Sequence, residues 1–143
     1  MTIETTANDL KDDFAFLDDW EARYAHIIDL GKANPPLNAS ERSEETRVRG
    51  CASQVWLVSE AQSDGTLTIR AESDAMIVSG LIALLTQLYS GRTPEEILTF
   101  DADAFLTDVG VKGALTAQRS NGLASMIARI RADAEALQAA ATA

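Results

Sequence analysis

Residues 55–89 read VWLVSEAQSDGTLTIRAESDAMIVSGLIALLTQLY, and this stretch decides the fold. Val55-Trp56-Leu57-Val58 and Leu67-Thr68-Ile69-Arg70-Ala71 carry β-branched and aromatic residues that suit a pleated surface. Ser63-Asp64-Gly65 between them is a turn signal, so a hairpin is expected. Leu67, Ile69 and Ala71 alternate with Thr66, Thr68 and Arg70, which implies one buried and one wet face. Ser73-Asp74 then offers a helix cap, and Gly91 suits the helix end. From Met76 to Tyr89 apolar side chains cover most of the circumference, as a central buried helix requires. Ser79, Gly80, Thr86 and Gln87 interrupt it, and it is shorter than the roughly 20 residues of a membrane span. Gly80 would allow a neighbour to pack closely.

Upstream, residues 6–32 read as two helices, with Asp18 or Asp19 capping the second. Trp20, Tyr24, Ile27, Ile28 and Gly31 share a side of that second helix. Asn34-Pro35-Pro36-Leu37 cannot continue it, because proline lacks an amide hydrogen and restricts its predecessor. From Asn38 to Gly50 the chain is polar, with little periodicity, and is expected to form a long surface loop of the kind that often serves function. Downstream, Thr93-Pro94-Glu95-Glu96 has the form of a capping box with proline at the first helical position. A short helix is expected from Ala102, and a last one from near Thr116 with Leu123, Met126, Ile127, Ile130, Ala134 and Leu137 on one side. Arg129, Arg131, Asp133 and Glu135 are left to water. A single domain over residues 1–143 follows, fraying over 1–8 and 139–143, with an α+β fold: a small antiparallel sheet packed against several helices.

The composition narrows the chemistry. Of 143 residues, 46% are apolar and 24% charged, within the ordinary globular band. The net charge of -10 argues against nucleic acid and against an anionic membrane surface, since both repel a polyanion. One cysteine and one histidine exclude an intramolecular disulfide and a conventional zinc site within one chain. No basic region followed by an apolar run opens the sequence, so a cytoplasmic, reducing setting is the expectation.

Cys51 stands at the end of the polar loop, in Arg49-Gly50-Cys51-Ala52-Ser53, where glycine lets the backbone turn sharply. A presented thiol would sit there, and so would a small buried hydrophobe. Arg42, Arg47 and Arg49 favour the thiolate, while Glu41, Glu44 and Glu45 offset them. His26 lies about 160° from the apolar side of its helix, so it is expected in solvent and not beside sulfur. A cysteine-histidine hydrolase therefore lacks support. Asp101 and Asp103 could be paired carboxylates but read more simply as caps and dipole partners, and Arg119-Ser120-Asn121-Gly122 near the start of the last helix offers either a cationic fork or a surface salt bridge.

Gly50-Cys51-Ala52-Ser53-Gln54-Val55-Trp56 resembles the SufE family of sulfur-acceptor proteins. So, in the same order, do Trp20-Glu21 through Leu30-Gly31, Ser73-Asp74-Ala75, Ile77-Val78, Gly80-Leu81, Thr93-Pro94, and Leu115-Thr116 with Arg119-Ser120-Asn121-Gly122-Leu123. The likeness covers roughly residues 10 to 132, and several motifs in register are far more specific than one. It implies a SufE/IscU-like fold with Cys51 on a loop. It also implies that Cys51 takes persulfide sulfur from a cysteine desulfurase, SufS-like or CsdA-like, stimulates that enzyme, and passes the sulfur to an iron-sulfur scaffold such as SufB. Gly50 and Ser53 flank the acceptor, and Asp74 and Arg119 match positions associated with the cysteine loop and partner docking. No cofactor is implied on this chain, since the pyridoxal phosphate belongs to the desulfurase, and a monomer or weak homodimer is expected. Ala52, Thr46 and Ala117 stand where the family often has glutamine, asparagine and proline. An acidic adaptor whose cysteine merely packs is the alternative reading.

Overall fold

Strands β1 (Val55–Ala61) and β2 (Leu67–Ser73) pair antiparallel where the alternation predicts them. The computed structural model describes residues 2–17, 19–50, 53–110 and 117–142, without the side chains of 117–120, 141 and 142. The register sets Val55 opposite Ser73, Leu57 opposite Ala71 and Ser59 opposite Ile69, so that Val55, Leu57, Leu67, Ile69 and Ala71 are all buried on one face. At the turn, Asp64 accepts hydrogen bonds from the Thr66 amide at 3.1 Å and the Thr66 hydroxyl at 2.6 Å, while Gly65 takes a positive φ. An aspartate that bonds its own backbone two residues on is what makes this tripeptide a turn.

Three helices build the core on that inner face: α1 (Ile3–Ala15), α2 (Trp20–Ala33) and α3 (Met76–Tyr89). α3 lies against β2 and α2 with Ile77, Leu81, Ile82, Leu84, Leu85, Leu88 and Tyr89 buried. Gly80 and Gly31 let α2 and α3 touch backbone to backbone. A Cβ on Gly80 would overlap the Ile27 carbonyl oxygen, and one on Gly31 would come within 2.7 Å of the Gly80 nitrogen. The α3 terminus differs from expectation. Ser73 finishes β2, Ala75 occupies the cap position without a side-chain bond, and Asp74 turns elsewhere.

α1 starts earlier than residue 6, because the Thr2 hydroxyl accepts from the Thr5 amide at 3.1 Å and Ile3, Ala7, Leu10 and Phe14 form one buried stripe. Asp19 caps α2 by accepting from the Ala22 amide at 2.7 Å, and Asp18 lies outside the described residues. The side assigned to α2 is only partly correct: Ile27 is buried, whereas Tyr24 is exposed. His26 is not in solvent. It is half-buried: its ring meets Phe14, near the end of α1, edge-on with centroids 5.0 Å apart, and its Nε2 is buried, a contact that periodicity within α2 does not reveal.

The remaining helices are α4 (Pro94–Thr99), α5 (Ala102–Asp108) and α6 (Ala117–Thr142). The Thr93–Glu96 capping box is formed in both directions, and Asp101 caps α5 through the Ala104 amide at 3.0 Å. α6 buries Leu123, Met126, Ile130 and Ala134 and half-buries Ile127 and Leu137. Tyr89 is buried at the end of α3 as the pattern predicts, and Arg92 enters the core without a sequence signal. Burial pushes the Tyr89 phenol up to about 12, and Arg92 is buried with Nε on the Leu88 carbonyl at 2.9 Å and Nη2 on the Thr6 hydroxyl at 2.6 Å. Among the described residues, no helix is long and apolar enough to cross a membrane.

Candidate functional site at the cysteine segment

The polar stretch before Cys51 is not a free surface loop. After a 3₁₀ turn at Ala39–Glu41 it lies across the outer face of the hairpin. Two residues of β2 hold it there: Arg70 pairs with both carboxylate oxygens of Glu41 and with Glu60 at 2.9 Å, and Glu72 pairs with Arg42 at 3.0 Å. Glu72 also accepts from the Leu37 amide at 2.8 Å. Residues 70 and 72 point to the same face because strands have a period of two. The face expected to be wet is thus in part a docking strip for the loop.

The Arg70 guanidinium, helped by the Asn38 amide, holds the Glu41 carboxyl down at about 2, from the usual 4.5. A carboxylate whose folded value is depressed contributes its stability fully above the unfolded value and loses it as pH falls toward the folded one. The contribution of this latch is therefore complete at neutral pH and disappears between about 4.5 and about 2. Arg70→Leu is expected to flatten the pH dependence of stability in that window. Urea unfolding at a series of acid pH values measures it, and a variant curve parallel to wild type there would show that the pair does not form in solution.

Beyond the latch the chain becomes a short third segment beside β1. The Leu57 amide donates to the Thr46 carbonyl and the Val48 amide to the Val55 carbonyl, each at 2.8 Å. The Val48–Val55 bond brings together the two ends of the segment 49–54. Cys51 and Ala52 fall within it and lie outside the described residues. Gly50 has φ of 89°, a backbone conformation that favours glycine, and a Cβ there would meet Ser125 Oγ of α6 at 2.5 Å. Ser53 is half-buried.

Asp74 supplies the exit from the turn. Its Oδ1 accepts from the Gln54 amide at 3.1 Å, and its own amide donates to the Gln54 carbonyl at 3.3 Å. The residue expected as a helix cap therefore ties β2 to the segment that follows the cysteine. Gly50 and Ser53 flank Cys51 in the chain, and Asp74 is tied to Gln54, the residue after Ser53. Arg119 belongs to the first turn of α6, and its side chain lies outside the described residues. Arg49 pairs with Glu44 at 3.2 Å on the surface, so the nearby positive charge is offset as the sequence suggests. Sequence reasoning missed Arg70, Ser125 and Arg129, whose contacts to the loop cross long stretches of chain. Among the described residues, no cluster of three or more His, Cys, Asp or Glu could hold a metal ion.

A two-stranded antiparallel hairpin backed by helices, with its outer strip latched by the segment before residue 50, is an α+β architecture. The solution structure of a hypothetical protein from Thermus thermophilus has this fold, with a TM-score of 0.74 at 19% identity over 97% of this chain and 99% of that one. The sequence pattern of SufE, an Fe-S metabolism associated domain, matches residues 8–134. An uncharacterized SufE-like protein of Rhizobium meliloti is 46% identical over 92% of this chain and 96% of its own length. Another, of Rhizobium etli, is 47% identical over 90% and 89%. The chain belongs to the SufE family, which ties it to iron-sulfur metabolism.

Proposed function

We propose that the protein accepts sulfur on Cys51 from the persulfide of a pyridoxal-phosphate cysteine desulfurase, stimulates that enzyme by clearing its cysteine, and passes the sulfur to an iron-sulfur scaffold. One observation supports the reading: in a chain of the SufE family, the only cysteine stands in sequence between Val48 and Val55, whose backbones are hydrogen-bonded to each other. In the transfer, the Cys51 thiolate attacks the terminal sulfur of the donor persulfide. A new S–S bond forms, the donor's S–S bond breaks, and the donor thiolate leaves with the electron pair. The same exchange, with Cys51 as leaving group, hands the sulfur on. A single thiol suits a carrier, because a second one nearby would resolve the persulfide into a disulfide and release the sulfur.

Incubation with a cysteine desulfurase and cysteine, followed by intact-mass spectrometry, tests this. One added sulfur atom is expected. No adduct, with the two proteins still binding each other, would favour an adaptor. Peroxide or ester turnover in the absence of any desulfurase would favour an independent thiol enzyme. Arg119 is proposed as a docking contact at the α6 start. Arg119→Ala should lower the transfer rate several-fold with an unchanged melting temperature, and a large loss of melting temperature with normal transfer would reverse that assignment.

A further inference from the structure

The stripe Ser125, Arg129 and Asp133 of α6, spaced four residues apart on one face, forms a seat for the chain that leads into the cysteine turn. Ser125 lies beneath Gly50. Arg129 Nη2 donates to the Glu45 carbonyl oxygen at 3.0 Å, a contact across 84 residues of sequence. Its Nε faces Asp133 Oδ1 at 3.5 Å, and Asp133 Oδ2 accepts from the Ser59 hydroxyl of β1 at 2.6 Å. Sheet, helix and loop are thereby joined in one relay that ends on the residue before Thr46, the first carbonyl pinned to β1.

We propose that Arg129 is a positioning residue for sulfur acceptance: oriented by the Ser59–Asp133 pair, it fixes the entry to the Cys51 turn as Asp74 fixes the exit. The inference rests on the sulfur-acceptor reading of Cys51. An ion pair four residues apart on a helix surface is by itself worth little. Arg129 differs in that its guanidinium also spends a charged donor on a backbone carbonyl, and both side chains are only about one-third exposed. A fixed entry narrows the conformations from which the thiolate can reach a donor persulfide, and that is where positioning acts on rate.

The test compares full-length wild type, Arg129→Ala and Arg129→Lys by amide hydrogen exchange and by the rate of sulfur loading at saturating desulfurase. Arg129→Ala is expected to exchange about tenfold faster across residues 44–50, the equivalent of one charge-assisted hydrogen bond, and to load sulfur several-fold more slowly. Arg129→Lys, which keeps a cationic donor, should recover much of both. Unchanged exchange in Arg129→Ala would overturn the proposal. Faster exchange with undiminished loading would also overturn it, leaving Arg129 a structural residue only. Absence of loading in the wild type would sink the acceptor reading instead, and exchange would still report whether Arg129 fixes the segment.

Discussion

Cys51→Ser is expected to abolish sulfur loading and to reduce stimulation of the desulfurase to the level seen without the protein. A free thiol is a few per cent thiolate at neutral pH and strongly nucleophilic toward sulfur, whereas a serine hydroxyl stays protonated and cannot form the S–S bond. No second cysteine exists in the chain to take over. The exchange of sulfur for oxygen removes little volume, so the variant should melt with the wild type and still bind the desulfurase. Steady-state turnover of the desulfurase with saturating variant reads the effect. Full stimulation by Cys51→Ser would mean that docking alone activates the enzyme, which is the adaptor reading.

Gly80→Ala is expected to be the most damaging single methyl in the core. The added carbon would overlap the Ile27 carbonyl, a backbone atom that can retreat only if α2 moves as a body. Overpacking of this kind costs typically about 1–3 kcal/mol, and the upper end applies where backbone rather than a side chain must give. Gly31→Ala meets the Gly80 nitrogen and the Met76 carbonyl at 2.7 and 3.1 Å, so a smaller loss is expected. Urea unfolding midpoints rank the two. Wild-type stability in Gly80→Ala would show that α2 and α3 do not approach so closely. Both glycines sit in helices, so conformational freedom is not the reason for them: the contact between backbones is.

The elements that depend on near neighbours were legible. The hairpin, the buried α3, the Thr93–Glu96 box, the Asp101 cap and the close approach at Gly80 each follow from residues a few positions apart or from periodicity. What sequence could not show are bonds made across long separations. Asp74 stands in a good capping position, and only the approach of Gln54, twenty residues away, diverts it. His26 is placed against Phe14 by the packing of α1, which no pattern within α2 encodes. Alternation along β2 marks Arg70 and Glu72 as outward-facing but cannot say that residues 37–42 will lie over them. Arg129 carries the same helical signal as any solvated arginine until Glu45 is seen beside it.

At the site, the motif at residues 50–56 drew attention to the cysteine segment, and the groups that brace its flanks came only from the fold. A thiol that passes sulfur between proteins must be held well enough to be reached and loosely enough to let go. The described residues on either side of Cys51 are braced at Glu45, Val48 and Gln54.

The most direct measurement is a trap-and-chase with isotopically labelled cysteine. The protein is loaded by a desulfurase, freed of it, alkylated to cap persulfides, and digested for peptide mapping before and after addition of an iron-sulfur scaffold protein. Labelled sulfur confined to the Cys51 peptide, and moving from it to the scaffold, is the predicted result. A Cys51 peptide that never carries the label while the scaffold acquires it directly from the desulfurase would contradict the account.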